Sequence, residues 1–441
     1  MPGRTTRTLI RAFIATIVMM PATLAHAQPI SWWYQRGANP EQQRALQRDL
    51  LDPFNEAHPD TPVKIEFRGA TADRQIRMAL LSGHGPDIVM TPGPTYLAPL
   101  ARAGQLLPMD DLIKQYGWDK RLVGPVLQTG GFDGHIYGLP RTYETMTLFY
   151  NKTLFDKNAW QPPKTLAELQ TLAAAMMQKG ITPFGAGNAD WRGANEWYVT
   201  LVLNDDAGPD NVYKALTGKL RWDDPVFVHS IELLRDWYQK GWFGKNYFSL
   251  TNEQGFARIA DGSAGMSPNG FWAFQWVDGH FNQTGQTPAI TPFPTLRDGV
   301  PYPVFPIGVG STMSINKHSA NVAVVGKFLN AMYSQDFYLR INKDWRGDWN
   351  LPLTDVDPQK IASSTSTLFA SAVSALREAT ASGHYGYTTW VFWPPATEQY
   401  LTQGIEQVWL GQVSPKDYLT KANDMFQAEL KEGKVPPIPP R

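Results

Sequence analysis

The apolar positions that follow Gln28 change period several times, and the changes mark out the elements. Ile30 to Tyr34 reads as a strand. Asn39-Pro40-Glu41 then opens an amphipathic helix in which Ala45, Leu46, Leu50 and Phe54 recur at helical spacing. Val63-Lys-Ile-Glu-Phe67 alternates as a half-buried strand does, and Ala72 to Leu81 returns to the helical period. Asp87-Ile-Val-Met90 is a short buried strand ending in the turn-forming Thr91-Pro-Gly-Pro94. Strand, helix, strand, helix, strand predicts an α/β fold with a mostly parallel sheet flanked by helices, whose ligands sit beyond the carboxyl ends of the strands. Arg36 and Thr91, on the loops after the first and third strands, are therefore candidate ligand contacts.

Further along, Gly138 to Asn151 is extended and sets polar residues inside an apolar strand, which predicts a crossing between two bodies. Thr165-Leu-Ala-Glu168 is a capping box ahead of a helix reaching Gly180, and Pro225 to Gly241 and Glu253 to Asp261 are amphipathic helices. An aromatic segment, Asn269 to Trp276, precedes a second predicted crossing at Phe305 to Ile315. Ser319 is the expected cap of a helix through Met332, and Trp345 to Pro352 is irregular, as expected of a third crossing. The last third is mainly helical and ends in a Pro-rich tail expected to be loose. No internal repeat is visible.

The N-terminus changes the compartment. Arg4, Arg7 and Arg11, an apolar run from Ala12 to Leu24, and Ala25-His26-Ala27 read as a secretory signal peptide over residues 1–27, which implies a periplasmic protein. The apolar run is shorter than the roughly 20 residues a membrane-spanning helix needs. The chain has no cysteine, which excludes disulfides, zinc-cysteine sites, thiol nucleophiles and a lipoprotein anchor. Its 40 basic and 40 acidic residues balance, and without the three signal-peptide arginines the net charge is −3, so nothing attracts nucleic acid. The 16 Trp and 17 Tyr are the informative excess, because flat amphipathic rings suit a partly apolar ligand such as a carbohydrate. No His-x-x-x-His pair, Gly-x-Ser-x-Gly elbow or phosphate loop occurs, so neither enzyme nor cofactor is expected.

Three stretches in order, Gly85-Pro-Asp-Ile-Val-Met90, Tyr137 to Lys152 and Phe256 to Trp272, resemble the extracellular solute-binding protein family that includes maltose-binding protein. Pro163 to Leu169 and Gly308 to Ser334 resemble its further elements. The resemblance implies two α/β lobes that close by a hinge on an oligosaccharide, the permease of an ABC importer as partner, and a monomer. The lobes would hold residues 28–140 with 312–345, and 141–311 with 346–441. By position it implies a sugar-contacting carboxylate at Glu144, beside Tyr143, and a stacking ring at Trp272 after Asn269. Phe271 stands where the family has proline, which leaves the approach of that loop open. Asp190 and Trp191, in a Gly-rich loop, and Trp345 and Arg346, at the third crossing, complete the candidates; Trp390 and Trp393 either line the cleft or fill a core. Two alternatives stay open. A secreted glycoside hydrolase would need two carboxylates about 5 to 10 Å apart, for which Glu144, Asp190 and Asp278 offer themselves, and a non-sugar solute could replace the sugar.

Overall fold

The computed structural model describes Gly3 and residues 28–34, 38–69 and 72–441. The signal-peptide reading and Arg36 lie outside the described residues. Fourteen strands follow in chain order among the described residues: β1 (Ile30–Tyr34), β2 (Val63–Phe67), β3 (Ile88–Thr91), β4 (Gly131–Phe132), β5 (His135–Ile136), β6 (Leu139–Pro140), β7 (Tyr143–Glu144), β8 (Met146–Asn151), β9 (Thr182–Phe184), β10 (Ala264–Gly270), β11 (Pro288–Thr291), β12 (Phe305–Val309), β13 (Thr312–Ile315) and β14 (Tyr385–Tyr387). They form a first sheet ordered β2-β1-β3-β13-β6, a second ordered β11-β8-β10-β9, a short third ordered β14-β12-β7, and a β4–β5 hairpin.

In the first sheet β1 runs parallel to β2 and β3, and β13 inserts antiparallel between β3 and β6. Ile30, Trp32 and Tyr34 point into the core while Trp33 faces outward under the guanidinium of Arg68, so the two-residue period does what alternation demands. The helix after β1 starts at Asn39, whose side chain accepts from the Gln42 amide while Gln42 reaches back to the Asn39 amide.

The second sheet is mixed. β10 is parallel to β9, but β8 is antiparallel to both β10 and β11. β8 arrives directly from the first crossing instead of through a crossover helix, so nothing forces it parallel to its neighbours. All of β10 and nearly all of β8 are buried, as strands covered on both faces must be.

Three local expectations are corrected. Thr165 caps its helix as expected, but Glu168 returns to the amide of Lys164, one residue before the cap. The helix after β13 is Val322–Met332, and Ser319 does not cap it; its hydroxyl is spent on Asp87. The C-terminal tail is docked: Tyr385 and Tyr387 donate to the carbonyls of Pro440 and Pro439, and Arg441 pairs with Asp210. Proline lacks an amide donor but keeps its carbonyl, and two phenols find those carbonyls here.

Candidate functional site

Between Leu139 and Asn151 the chain leaves the first sheet in β6, adds β7 to the third sheet and enters the second in β8. The return path does the reverse, from β12 in the third sheet to β13 in the first. The third sheet is thus a bridge between two α/β halves. On it, Glu144 lies opposite Gly308. A Cβ at Gly308 would stand 2.9 Å from Cγ of Glu144 and 3.0 Å from Cζ2 of Trp390, so only glycine lets the carboxylate and the indole meet across the strand. The loop after β3 closes onto the same place, because a Cβ at Gly93 would stand 2.8 Å from the carbonyl oxygen of Val309. Glu144 is 1% exposed and Trp390 6%.

Strand alternation separates Tyr143 from Glu144. Tyr143 is buried in the core, donates its hydroxyl to the carbonyl of Leu376 and meets Thr380, and burial raises its phenol well above the usual range. Its side chain packs in the core. Thr91 also turns inward: its hydroxyl bonds the Gly93 carbonyl at 3.0 Å and Thr312 at 2.6 Å, which fixes the loop.

A row of indoles leads outward from this floor. Trp272 is 8% exposed, its ring folded over Gly270, where a Cβ would come within 1.9 Å of it. Trp197 packs on Trp272 with centroids 4.6 Å apart, and Trp191, 51% exposed, meets Trp197 at 5.5 Å. The loop carrying Trp191 is held from below: Asp190 accepts the Asn252 amide, Asn269 donates to the Asn252 side chain, and Arg192 pairs loosely with Glu406. Asn269 is therefore a buried brace. Asp190 remains exposed.

The third crossing is packed into the protein. Trp345 is buried among Tyr34 and Trp349, with centroids 5.8 and 6.1 Å away, because its indole completes the aromatic core of the first half. Arg346 pairs through one terminal nitrogen with Asp278, 2.8 Å away. Trp393 stacks in the core against Trp222 at 3.8 Å, so of the two C-terminal tryptophans only Trp390 reaches the bridge.

Sequence reasoning missed one constellation. Glu196, on helix Ala194–Val202, is buried and hydrogen-bonded to Glu398 of helix Pro395–Trp409, with Thr389 donating to it at 3.4 Å. Burial first, then the neighbouring Glu398 and the charge of Glu144, raise its carboxyl well above the ordinary range. From the first half, Tyr96 donates to Glu398 at 3.3 Å. The available signal was a lone acid, Glu196, heading the apolar run Trp197-Tyr-Val-Thr-Leu-Val-Leu203. No group of three or more His, Asp or Glu side chains suited to a metal occurs among the described residues, and no helix there is long and apolar enough to cross a membrane.

Residues 37–337 match the sequence model of the bacterial extracellular solute-binding proteins. The alpha-glucosides-binding periplasmic protein of Rhizobium meliloti is 27% identical over 242 residues, 52% of this chain and 50% of that one. The diacetylchitobiose binding protein of Streptomyces coelicolor is 24% identical over 275 residues, 59% and 57% of the two chains. The chain thus spans about half the length of the curated relatives it matches. A solved chitin oligosaccharide binding protein superposes with a TM-score of 0.78 over 91% of this chain and 98% of its own, at 21% identity, so the two share a fold.

Proposed function

This chain belongs to the bacterial extracellular solute-binding protein family, and on that premise we propose that it captures an oligosaccharide between its two halves for the permease of an ABC importer. The observation that carries the reading is the bridge itself: a buried carboxylate, Glu144, and the indole of Trp390 both crowd Gly308 where the chain passes between the halves, and a file of three tryptophans, Trp272, Trp197 and Trp191, reaches solvent. A pyranose ring offers an apolar C–H face to an indole and hydroxyls to a carboxylate, which accepts them in charge-assisted hydrogen bonds. Glu144, Trp272, Trp390, Trp191 and Asp190 are the proposed contacts, and Arg36, which lies outside the described residues, is kept as a further one from its place in the sequence after β1. The halves follow the sheets, residues 28–140 with 312–345 against 141–311 with 346–441. After removal of residues 1–27 the protein acts in the periplasm as a monomer.

A ligand touching both halves stabilises the closed arrangement more than an open one, and only that difference can drive closure. The permease then reads occupancy from shape. The relatives named above bind sugars by their descriptions, which favours a sugar over other solutes.

Thermal unfolding of the purified protein against a panel of mono- and oligosaccharides tests the reading. A sugar present at 100 times its Kd stabilises the folded state by about 2.7 kcal/mol. An upward shift with the sugar recovered intact supports capture, a cleaved sugar supports a hydrolase, and a panel without any shift sinks the oligosaccharide reading.

A further inference from the structure

The three places where the chain passes between halves are tied to one another by a single group of side chains. Arg141, between β6 and β7, donates Nε to the hydroxyl of Ser311, between β12 and β13, at 2.7 Å. Its two terminal nitrogens reach Oδ2 of Asp348, on the third crossing, at 3.1 and 3.2 Å. Tyr34, at the end of β1, donates to the same carboxylate at 3.2 Å, and Thr142 donates to the Asp348 carbonyl at 3.0 Å. The Arg141 guanidinium lies 4.3 Å from the centroid of the Trp349 ring. Backbone bonds run in parallel with these contacts: Arg141 N to Ser311 O at 2.9 Å and Tyr143 N to Asn350 O at 2.7 Å. Gly347 seats the third crossing on the second half so closely that a Cβ would stand 2.0 Å from the carbonyl oxygen of Phe271.

Both Arg141 and Asp348 are buried, and the arginine fork is directed at Asp348 and Ser311 rather than at solvent. A buried ion pair contributes little stability relative to apolar residues of the same size, and its best-attested use is to specify one arrangement among several. The arginine fork suits that use, since it addresses two crossings at fixed angles as no single ammonium can.

We propose that the Arg141–Asp348 pair is the pivot of the molecule: it pins all three crossings together and so sets the angle between the halves and the ease with which the cleft closes. The pair therefore acts on affinity through the position of the halves and not by contact. This inference rests on the two halves moving as the capture reading requires. Closure driven by ligand gains affinity in proportion to how populated the competent arrangement already is, so changing the pivot changes affinity even with every contact residue intact.

The absence of cysteine makes the test clean. Spin labels on cysteines replacing the exposed Arg44 and Lys179, one in each half, report the distance between halves in the unliganded protein. Arg141→Ala would strand a buried carboxylate, so two gentler variants are used: R141K, which keeps the charge and loses the fork, and R141M/D348L, which removes both charges. The expected result is a shifted and broadened distance distribution in both, with far-ultraviolet circular dichroism unchanged. A folded R141K protein whose distribution superimposes on that of the wild type overturns the proposal. Failure of the capture reading shows separately, as the lack of any sugar that raises the wild-type unfolding temperature.

Discussion

Replacing Glu196 by glutamine tests the electrostatics beneath the bridge. The amide keeps the size of the side chain and can still donate to Glu398, but it cannot titrate. In the unfolded chain a glutamate has a pKa of about 4.3. In the fold, burial, Glu398 and Glu144 raise the Glu196 carboxyl well above that. The folded protein therefore keeps a proton that the unfolded chain has released. The stability linked to this group is fully present below about pH 4.3 and is lost as pH rises towards the folded value, at about 1.4 kcal/mol per pH unit. From pH 5 to pH 7 the wild type loses up to about 2.7 kcal/mol on this account. With an unfolding entropy of about 2.1 cal/mol/K per residue, a chain of about 410 residues turns that into roughly 3 °C. Asp205, also buried and raised, pulls in the same direction and cancels in the comparison. Calorimetric scans of wild type and E196Q at pH 5, 6, 7 and 8 should show the variant gaining on the wild type as pH rises from 5, until the folded carboxyl releases its proton. Parallel curves would refute the protonated buried carboxyl.

Trp272→Ala should abolish sugar binding in calorimetric titration and also cost about 2 to 3 kcal/mol of stability, below the 3 to 5 typical of a fully buried tryptophan because its edge is open; unchanged stability would mean that Trp272 does not pack on Trp197 as described. Glu144→Gln should weaken binding of the sugar found in the thermal screen by about 1.5 to 3 kcal/mol, the range for hydrogen bonds to charged groups. Equal affinity removes Glu144 from the site. Gly93 has φ 131° and ψ −179°, a region open essentially to glycine alone, so Gly93→Ala should destabilise the protein by at least about 1 to 3 kcal/mol in urea titrations. A wild-type midpoint would show that the loop can retreat from Val309.

Most elements were legible because they rest on local signals. The β1 alternation, the capping residues Asn39 and Thr165, and the apolar stripes over 72–81 and 225–239 need nothing distant to be read. The first strand crossing was visible as polar residues inside an apolar strand, since a strand that passes from one sheet to another must change surroundings midway. What a side chain does after it is placed proved harder. Trp272, Trp345, Trp390 and Trp393 are the same residue with the same preferences, and only the fold decides that Trp345 and Trp393 complete cores while Trp390 faces Glu144. Ser319 is not the cap because the helix begins three residues later, at Val322; its hydroxyl donates to Asp87, 232 residues away in sequence, and accepts the Asn321 amide. The Glu196–Glu398 pair escaped notice because two helices far apart in sequence bring the acids together, and no spacing rule announces it.

The position of β13 has a consequence for synthesis. It lies between β3 and β6, and the hydroxyls of Thr91 and Thr312 that join across this seam are 221 residues apart in sequence. At about 5 to 20 residues per second, that stretch takes roughly 10 to 45 s to make. Throughout that interval the four buried residues of β3 present an unpaired apolar edge, the kind that recruits other strands. The first half thus cannot finish before most of the second exists, and the nascent chain stays open long after its first three strands are made.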